Sequence, residues 1–337
     1  LCLTDCNFMR PLSTVSGHWA PYVVNGSCSV GLTTVCDVDV IRCEMGNCHR
    51  GLDVSGRPGG IGNSINVRVI DCSIHCIGED GVEFSPTNSL FSGNRIYDLS
   101  EKRASMNVFG TRTGTFINGE TVRMDGTSVY GVVEVNNDTA TNMKVYSTSP
   151  MTIEEAWKAK PQVGDSLTGL TSGARIADIT GVDSTHTDAI TFNSSACNIE
   201  FCYNHIRRSH GGGTDGQCVK ADQPTNIYIH DNLIEGFNPL YFGSVRGTSN
   251  RINHNTFIGI SEWRTTRNEL PTCTIHELCN NIFRQLNILD EGNNKMVVVA
   301  SHKGNIFNVY HVAPYFNMPM DSSEAVLSTS EFQALFT

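Results

Sequence analysis

Short runs of alternating apolar and polar residues recur along this chain, broken by bends and Gly turns. Residues 38–54 read VDVIRCEMGNCHRGLDV and residues 67–84 read VRVIDCSIHCIGEDGVEF. Both parse as strand, bend, strand, Gly turn, strand, with Leu52 and Val54 matched by Val82 and Phe84. Strict alternation turns those four side chains inward and leaves Asp53 and Glu83 facing out. HTDAITF (186–192) aligns with GEDGVEF (78–84), which sets Asp188 over Asp80 and turns Ile190 and Phe192 inward.

The bends carry a pattern of their own, an Asn followed two places later by an apolar residue. It joins Asn94 to Ile96, Asn204 to Ile206, Asn232 to Ile234, Asn255 to Phe257 and Asn280 to Ile282. Upstream a Cys takes the Asn position, with Cys6 before Phe8, Cys43 before Met45 and Cys72 before Ile74. Successive markers lie 37, 29, 22, 110, 28, 23 and 25 residues apart. A period in the twenties that carries strands and no helices is that of a β-solenoid. Equivalent residues then stack about 4.8 Å apart. Asn tolerates the left-handed conformation of a tight corner, and stacked carboxamides can hydrogen-bond along the column. Small, apolar Cys fills the same buried slot. The expected fold class is all-β, a parallel β-helix whose first coils occupy residues 1–110.

The 110-residue step between Asn94 and Asn204 is too long for one coil and holds an insertion, expected over 111–173. Its texture is Thr- and Gly-rich with short alternating strands, and Gly119-Glu120-Thr121-Val122 recurs as Gly164-Asp165-Ser166-Leu167. Thr152 to Glu155 form a capping box that should open a short helix near Trp157. FINGETV (116–122) and VGDSLTGLTSGA (163–174) resemble a small β-module found repeatedly in bacteriophage tail proteins. Coils are expected again over 174–312, and a C-terminal cap over 313–337. In the cap, Ser328 and Glu331 form a second capping box before EFQALF, a short amphipathic helix able to cover the open end of the solenoid. As a whole the chain resembles the right-handed parallel β-helix of pectate-lyase-like proteins, bacteriophage tailspikes above all. The right hand comes from that resemblance. So do a homotrimer and a virion or extracellular location.

Composition narrows the partners. A net charge of −10 argues against a nucleic-acid footprint and fits a polyanionic substrate poorly without a local basic patch or a bound cation. The 13 cysteines are an odd number, several fall in strand or bend positions, and they read as reduced core residues. No CxxC pair or Cys/His cluster has zinc spacing. The longest tight apolar run is Val297–Ala300, so no membrane span or signal peptide is expected. The chain begins LCLTDC, without Met and already within the repeat, and is expected to be part of a longer protein.

A solenoid strand offers one outward side chain per coil at each column, so a site assembles from residues one repeat apart. Around the third strand the candidates are Asp53, Asp80, Glu83, His186, Asp188, Asp215, Lys220 and Tyr241. Taken singly, an Asp before Gly or Ala is ordinary turn chemistry; the coincidence of acids with His186 and Lys220 in one column points to a site. A glycosidase needs two carboxyls, about 5–5.5 Å apart for retention and about 6.5–9.5 Å for inversion. Asp188 with Asp215 on adjacent coils would suit the first, and Asp80 with Asp188, taken as two coils apart, the second. Asp215-x-x-x-x-Lys220 also resembles the Glu-x-x-x-x-Lys strand of chondroitinase-B-like and alginate-lyase β-helices. That resemblance implies Lys220 as a base and Asp215 as a ligand to calcium. It departs where those enzymes place an Arg: Tyr241 stands near that position and Arg246 is the nearest substitute. His186 and His210 are candidate proton carriers. Tyr241, Trp19, Tyr22 and Trp263 are candidate sugar-stacking platforms, and Gly211–Gly213 can let a turn pass close to a ligand. The expected activity is cleavage of a polysaccharide, by an acid pair or by a Lys base, and the rival reading is a spike that binds glycan without cutting it.

Overall fold

The computed structural model describes residues 1–9, 14–15, 18–19, 28–48, 50–54, 64–77, 80–99, 105–117, 119–125, 130–134, 142–147, 163–184, 188–207, 217–221, 224–236, 238–242, 249–265, 274–290, 298–312 and 320–337. It is a parallel β-helix interrupted by an antiparallel barrel. One face stacks Cys2–Thr4, Cys36–Ile41, Ile65–Ile70, Thr87–Ser92, Cys197–Cys202, Thr225–His230, Asn250–Asn253 and Thr274–Cys279 in that order. A second face runs from Asn7–Met9 through Glu44–Cys48, Ser73–Ile77, Arg95–Leu99, His205–Arg207 and Leu233–Glu235 to Thr256–Thr265. The third stacks Cys28–Gly31, Arg50–Val54, Val82–Phe84, Ile190–Phe192, Val219–Ala221 and Leu240–Phe242, and joins the second through the long strand Thr256–Thr265.

Alternation sets the interior. Val40, Val69, Phe91, Phe201, Ile229, Ile252 and Leu278 are register partners on successive coils, and all are buried. Like side chains stack, as in Phe257 on Phe283 at 4.8 Å and Phe283 on Phe307 at 5.6 Å between ring centroids. Such contacts add to the area term that dominates core stability.

A buried amide spine runs through Asn94, Asn204, Asn232, Asn255, Asn281 and Asn305. Each Nδ2 donates to the next Oδ1, from 2.9 Å between Asn204 and Asn232 to 3.1 Å between Asn281 and Asn305. The following Oδ1 also accepts the preceding Asn backbone N–H, as Asn232 Oδ1 does from Asn204 N at 2.9 Å. The spine ends on a carboxylate, Glu324, which accepts from Asn305 Nδ2 at 2.5 Å. Asn281 holds the slot expected for Asn280. Asn280 is instead the exposed corner residue before it, at φ 55°. Throughout the column it is the preceding residue that turns left-handed: Asp71, Gly93, Tyr203, Asp231, His254, Asn280 and Gly304. The expectation that the spine Asn itself bends the chain is therefore corrected. Corner and amide are separate tasks, because an inward carboxamide needs the extended backbone of the strand it begins.

Cys43 and Cys72 continue the column upstream of Asn94, and their thiols donate to carbonyls of Leu3 and Val40. Burial pushes the Cys72 thiol up to about 11. Nine cysteines, Cys2, Cys6, Cys36, Cys43, Cys72, Cys197, Cys202, Cys218 and Cys279, are free thiols.

The step from Asn94 to Asn204 is one coil step, since Arg95 and Ile96 pair with His205 and Ile206. Between them stands a closed six-stranded antiparallel barrel of Ser105–Thr113, Thr121–Met124, Tyr130–Glu134, Asn142–Ser147, Leu167–Gly169 and Arg175–Ser184. Its strands reach beyond the 111–173 expected, because the first and last pair with each other from Met106 with Ser184 to Thr113 with Arg175. It has its own core of Val108, Phe116, Val122, Leu167, Ala174, Ile176 and Ile179. The FINGE and TSG motifs have a physical basis here. Glu120 accepts from the backbone N–H of Ile117, Thr171 and Ser172 and from the Ser172 hydroxyl, tying the FINGE turn to the TSG turn. Gly119 and Gly173 supply the left-handed positions, at φ 80° and 68°. The helix expected near Trp157 lies outside the described residues.

At the C-terminus Ala325–Val326 adds a parallel strand to Ile306–Phe307, and the helix Thr329–Ala334 packs on the same strand through buried Phe332. Its Ser328–Glu331 capping box is formed as expected. Among the described residues no helix is long and apolar enough to cross a membrane.

Candidate active site

On the third face, register puts Asp53, Glu83, Thr191, Lys220 and Tyr241 in one outward column on consecutive coils. Their inward neighbours Leu52, Val82, Ile190, Val219 and Leu240 are buried, which fixes the phase of the whole set. At about 4.8 Å per step the column is roughly 19 Å long. Its acidic end is organised by Arg50, at the start of the strand that carries Asp53. Arg50 Nη1 lies 3.0 Å from Glu83 Oε2 and 3.6 Å from Asp53 Oδ2, and Nη2 lies 3.9 Å from Asp80 Oδ2. Asn193 Nδ2 donates to Glu83 Oε1 at 2.6 Å.

The Glu83 carboxyl is held above its ordinary range. Burial is the largest cause and the Asp53 and Asp80 charges add to it, outweighing Arg50 and Asn193. Asp53 Oδ1 is buried and accepts no hydrogen bond from the described residues.

Asp188 is 1% exposed. Its N–H donates to Asp80 Oδ1 at 3.1 Å; its Oδ1 accepts from Gln217 N at 2.8 Å and its Oδ2 from the Thr191 hydroxyl at 3.1 Å. Lys220 Nζ forms an ion pair with it at 3.7 Å. Two pairings expected from sequence are corrected. Asp80 and Asp188 stand on adjacent coils, because the barrel occupies a single coil step. The residue over Asp188 on the following coil is Gln217, not Asp215, because Ile190 pairs with Val219. The carboxylates thus give way to amides along the column Asp80, Asp188, Gln217, Asn238, where Gly81 N–H donates to Asp188 O, Ala189 N–H to Gln217 O and Cys218 N–H to Asn238 O. Asp215, with the calcium role attached to it, lies outside the described residues, as do His186, His210 and Arg246. So do Tyr22 and the side chains of Trp19 and Trp263.

Arg50, Thr191 and Asn193 were not legible as site residues. Arg50 shares the parity of Leu52 and Val54, so alternation points it inward. Gly51 and Leu52 are both buried, so strict alternation fails at the start of this strand, and no sequence signal announces that.

The first face carries a second polar feature, a groove of about 570 Å³. Asn66, Asn88 and Asn198 line it together with Asp37, Asp39, Arg68 and Glu200. Asn66 Nδ2 donates to Asp37 Oδ1 at 2.9 Å and Asn198 Nδ2 to Asn88 Oδ1 at 2.8 Å, an exposed counterpart of the buried spine. Arg68 grips Asp39 through two bonds, at 2.7 and 2.6 Å. No protein-family model matches the chain, and no curated protein matches it.

Proposed function

We propose that the protein binds an extended polysaccharide along the outward column of the third face and hydrolyses it between Asp53 and Glu83. The observation that carries this reading is the Glu83 carboxyl, held up by burial and by the acids beside it on a face lined with Asp53, Lys220 and Tyr241. Glu83 is kept protonated to higher pH by burial and adjacent acids, as a general acid requires. Asp53, beside Arg50, serves as the second carboxylate. One coil step of about 4.8 Å between their backbones favours the retaining separation of about 5–5.5 Å. Lys220 and Tyr241 then offer a cation and an aromatic face to successive sugars, with the buried Thr191 between them and the acid pair. Asp188, too buried to touch a substrate, positions Thr191 and Lys220. The ion pair also argues against β-elimination, since a Lys220 base would first have to leave Asp188.

The stacked coils and the FINGE/TSG turns support a tailspike-like depolymerase of the pectate-lyase-like class, with the homotrimer and virion or extracellular setting that resemblance implies. The test is a panel of neutral and acidic polysaccharides, followed for chain length, new reducing ends and unsaturated-uronate absorbance. Shortening with reducing ends and without the absorbance is expected, and it should vanish in Glu83→Gln. A folded Glu83→Gln protein with full activity overturns the assignment, and absorbance would transfer the chemistry to Lys220. A second reading, glycan binding without cleavage, is favoured by the amide-lined groove of the first face. Binding without shortening, lost in Asn88→Ala, would select it.

A further inference from the structure

Cys202 and His230 are register partners on adjacent coils of the first face, and Glu200 is the outward residue two places before Cys202. One ligand atom from each, Cys202 Sγ, a His230 ring nitrogen and a Glu200 oxygen, all lie within 4.8 Å of one another. Glu200 Oε1 is 3.0 Å from His230 Nε2 and 3.9 Å from Cys202 Sγ. A tetrahedron built on Zn–N and Zn–O bonds of about 2.0 Å and Zn–S of about 2.3 Å has edges of about 3.3–3.6 Å, close to these separations.

The histidine is held in a particular way. Its Nδ1 lies 2.8 Å from Asp231 Oδ2, its ring stacks on Tyr228 at 4.0 Å, Tyr203 abuts it edge-on, and its side chain is 9% exposed. Both ring nitrogens face carboxylates, Nδ1 that of Asp231 and Nε2 that of Glu200, and a cation at Nε2 would offset the negative charge gathered there. A carboxylate behind a histidine is the arrangement that fixes tautomer and ring orientation in metal sites. Cys202 is buried and has the Ser92 hydroxyl 3.4 Å from its sulfur.

We propose that Cys202, His230 and Glu200 bind a zinc-class divalent cation that bridges two coils, with Asp231 orienting His230 from behind. A thiolate with an imidazole selects zinc over the oxygen-loving calcium and magnesium. The Glu200 side chain is 53% exposed, so the fourth position opens to solvent for water at the amide-lined groove. A dication there would supply the charge that draws off the Cys202 thiol proton. The three residues escape sequence reading because the coil step, not a short motif, brings them together.

The experiment uses the full chain, reduced and stripped with a chelator, then titrated with Co²⁺ and Zn²⁺. One equivalent of Co²⁺ should raise a thiolate-to-cobalt absorbance that Zn²⁺ displaces, and Zn²⁺ should raise the Tm. Cys202→Ser should abolish the band. Glu200→Gln, at an exposed position where folding is not at stake, should weaken Zn²⁺ binding at least about tenfold, and Asp231→Asn about 10–100-fold. Absence of a stoichiometric site in the wild type would overturn the proposal. A band unchanged in both Cys202→Ser and Glu200→Gln would assign the metal to other cysteines and overturn it equally.

Discussion

Glu120 in the barrel and Glu83 on the β-helix are the same side chain, both drawn out of bulk water, and they titrate in opposite directions. Burial works to raise Glu120, but three backbone N–H groups and the Ser172 hydroxyl outweigh it and hold the carboxyl below its ordinary range. Glu83 has two donors, Arg50 and Asn193, set against burial and two neighbouring acids, and it moves up. A fully donated carboxylate is part of the architecture, fastening two turns together. One kept short of donors among other acids is a proton held ready. The difference lies in the neighbours that each fold supplies, which is why residue type alone does not separate structural from catalytic acids.

The largest effect expected from breaking this contrast is in Glu83→Gln, which should lower kcat by about 10²–10⁴-fold. The unfolding midpoint should hardly move; a collapse of stability instead would make Glu83 another Glu120. Next is the buried spine, where donors and acceptors are all matched. Asn232→Ala removes the acceptor for both Asn204 N and Asn204 Nδ2, together with the donor to Asn255 Oδ1. Denaturant titration should show a loss of roughly 3–5 kcal/mol with no catalytic phenotype beyond it. Glu120→Ala strands the N–H groups of two turns and should cost about 2–4 kcal/mol. That loss should appear as faster hydrogen exchange around Thr171 and Ser172, with glycan cleavage unchanged.

The smallest effects are in pH dependence, and their signs oppose. Glu83, raised from 4.5, contributes stability that is complete below that value and is lost as pH rises through its folded pKa. Glu120, lowered from 4.5, contributes stability present above that value and lost as pH falls through its folded pKa. Stability differences between wild type and each Gln variant, followed from acid to neutral pH, should therefore slope in opposite directions. Cleavage should fall along an alkaline limb set by Glu83. Parallel slopes would dissolve the comparison.

Much of the fold was legible because a solenoid repeats its instructions. Leu52 and Val54 against Val82 and Phe84, and Ile190 and Phe192 against them, were read in the register they adopt. The spine was readable to within one residue: Asn280 and Asn281 are adjacent, and only the backbone decides which turns the corner. The candidate site was less legible. Asp53, Glu83, Lys220 and Tyr241 follow from strand parity, whereas Arg50 defies it. Asp188 was matched to Asp215 where the coil supplies Gln217, because the turn between them hides the register.

By itself the sequence determined an all-β solenoid, its inward hydrophobic columns, its Asn and Cys spine, an insertion between Asn94 and Asn204 and a capped C-terminal helix. These are local, periodic properties, written wherever a coil repeats. Only the tertiary structure decided that the insertion closes as a barrel within one coil step, bringing Asp80 beside Asp188. It also decided that Arg50 gathers three acids, that Glu83 and Glu120 titrate apart, and that His230 meets Cys202 and Glu200. Each of these depends on which side chains face one another across coils, a distance of about 4.8 Å in space and of twenty to a hundred residues along the chain.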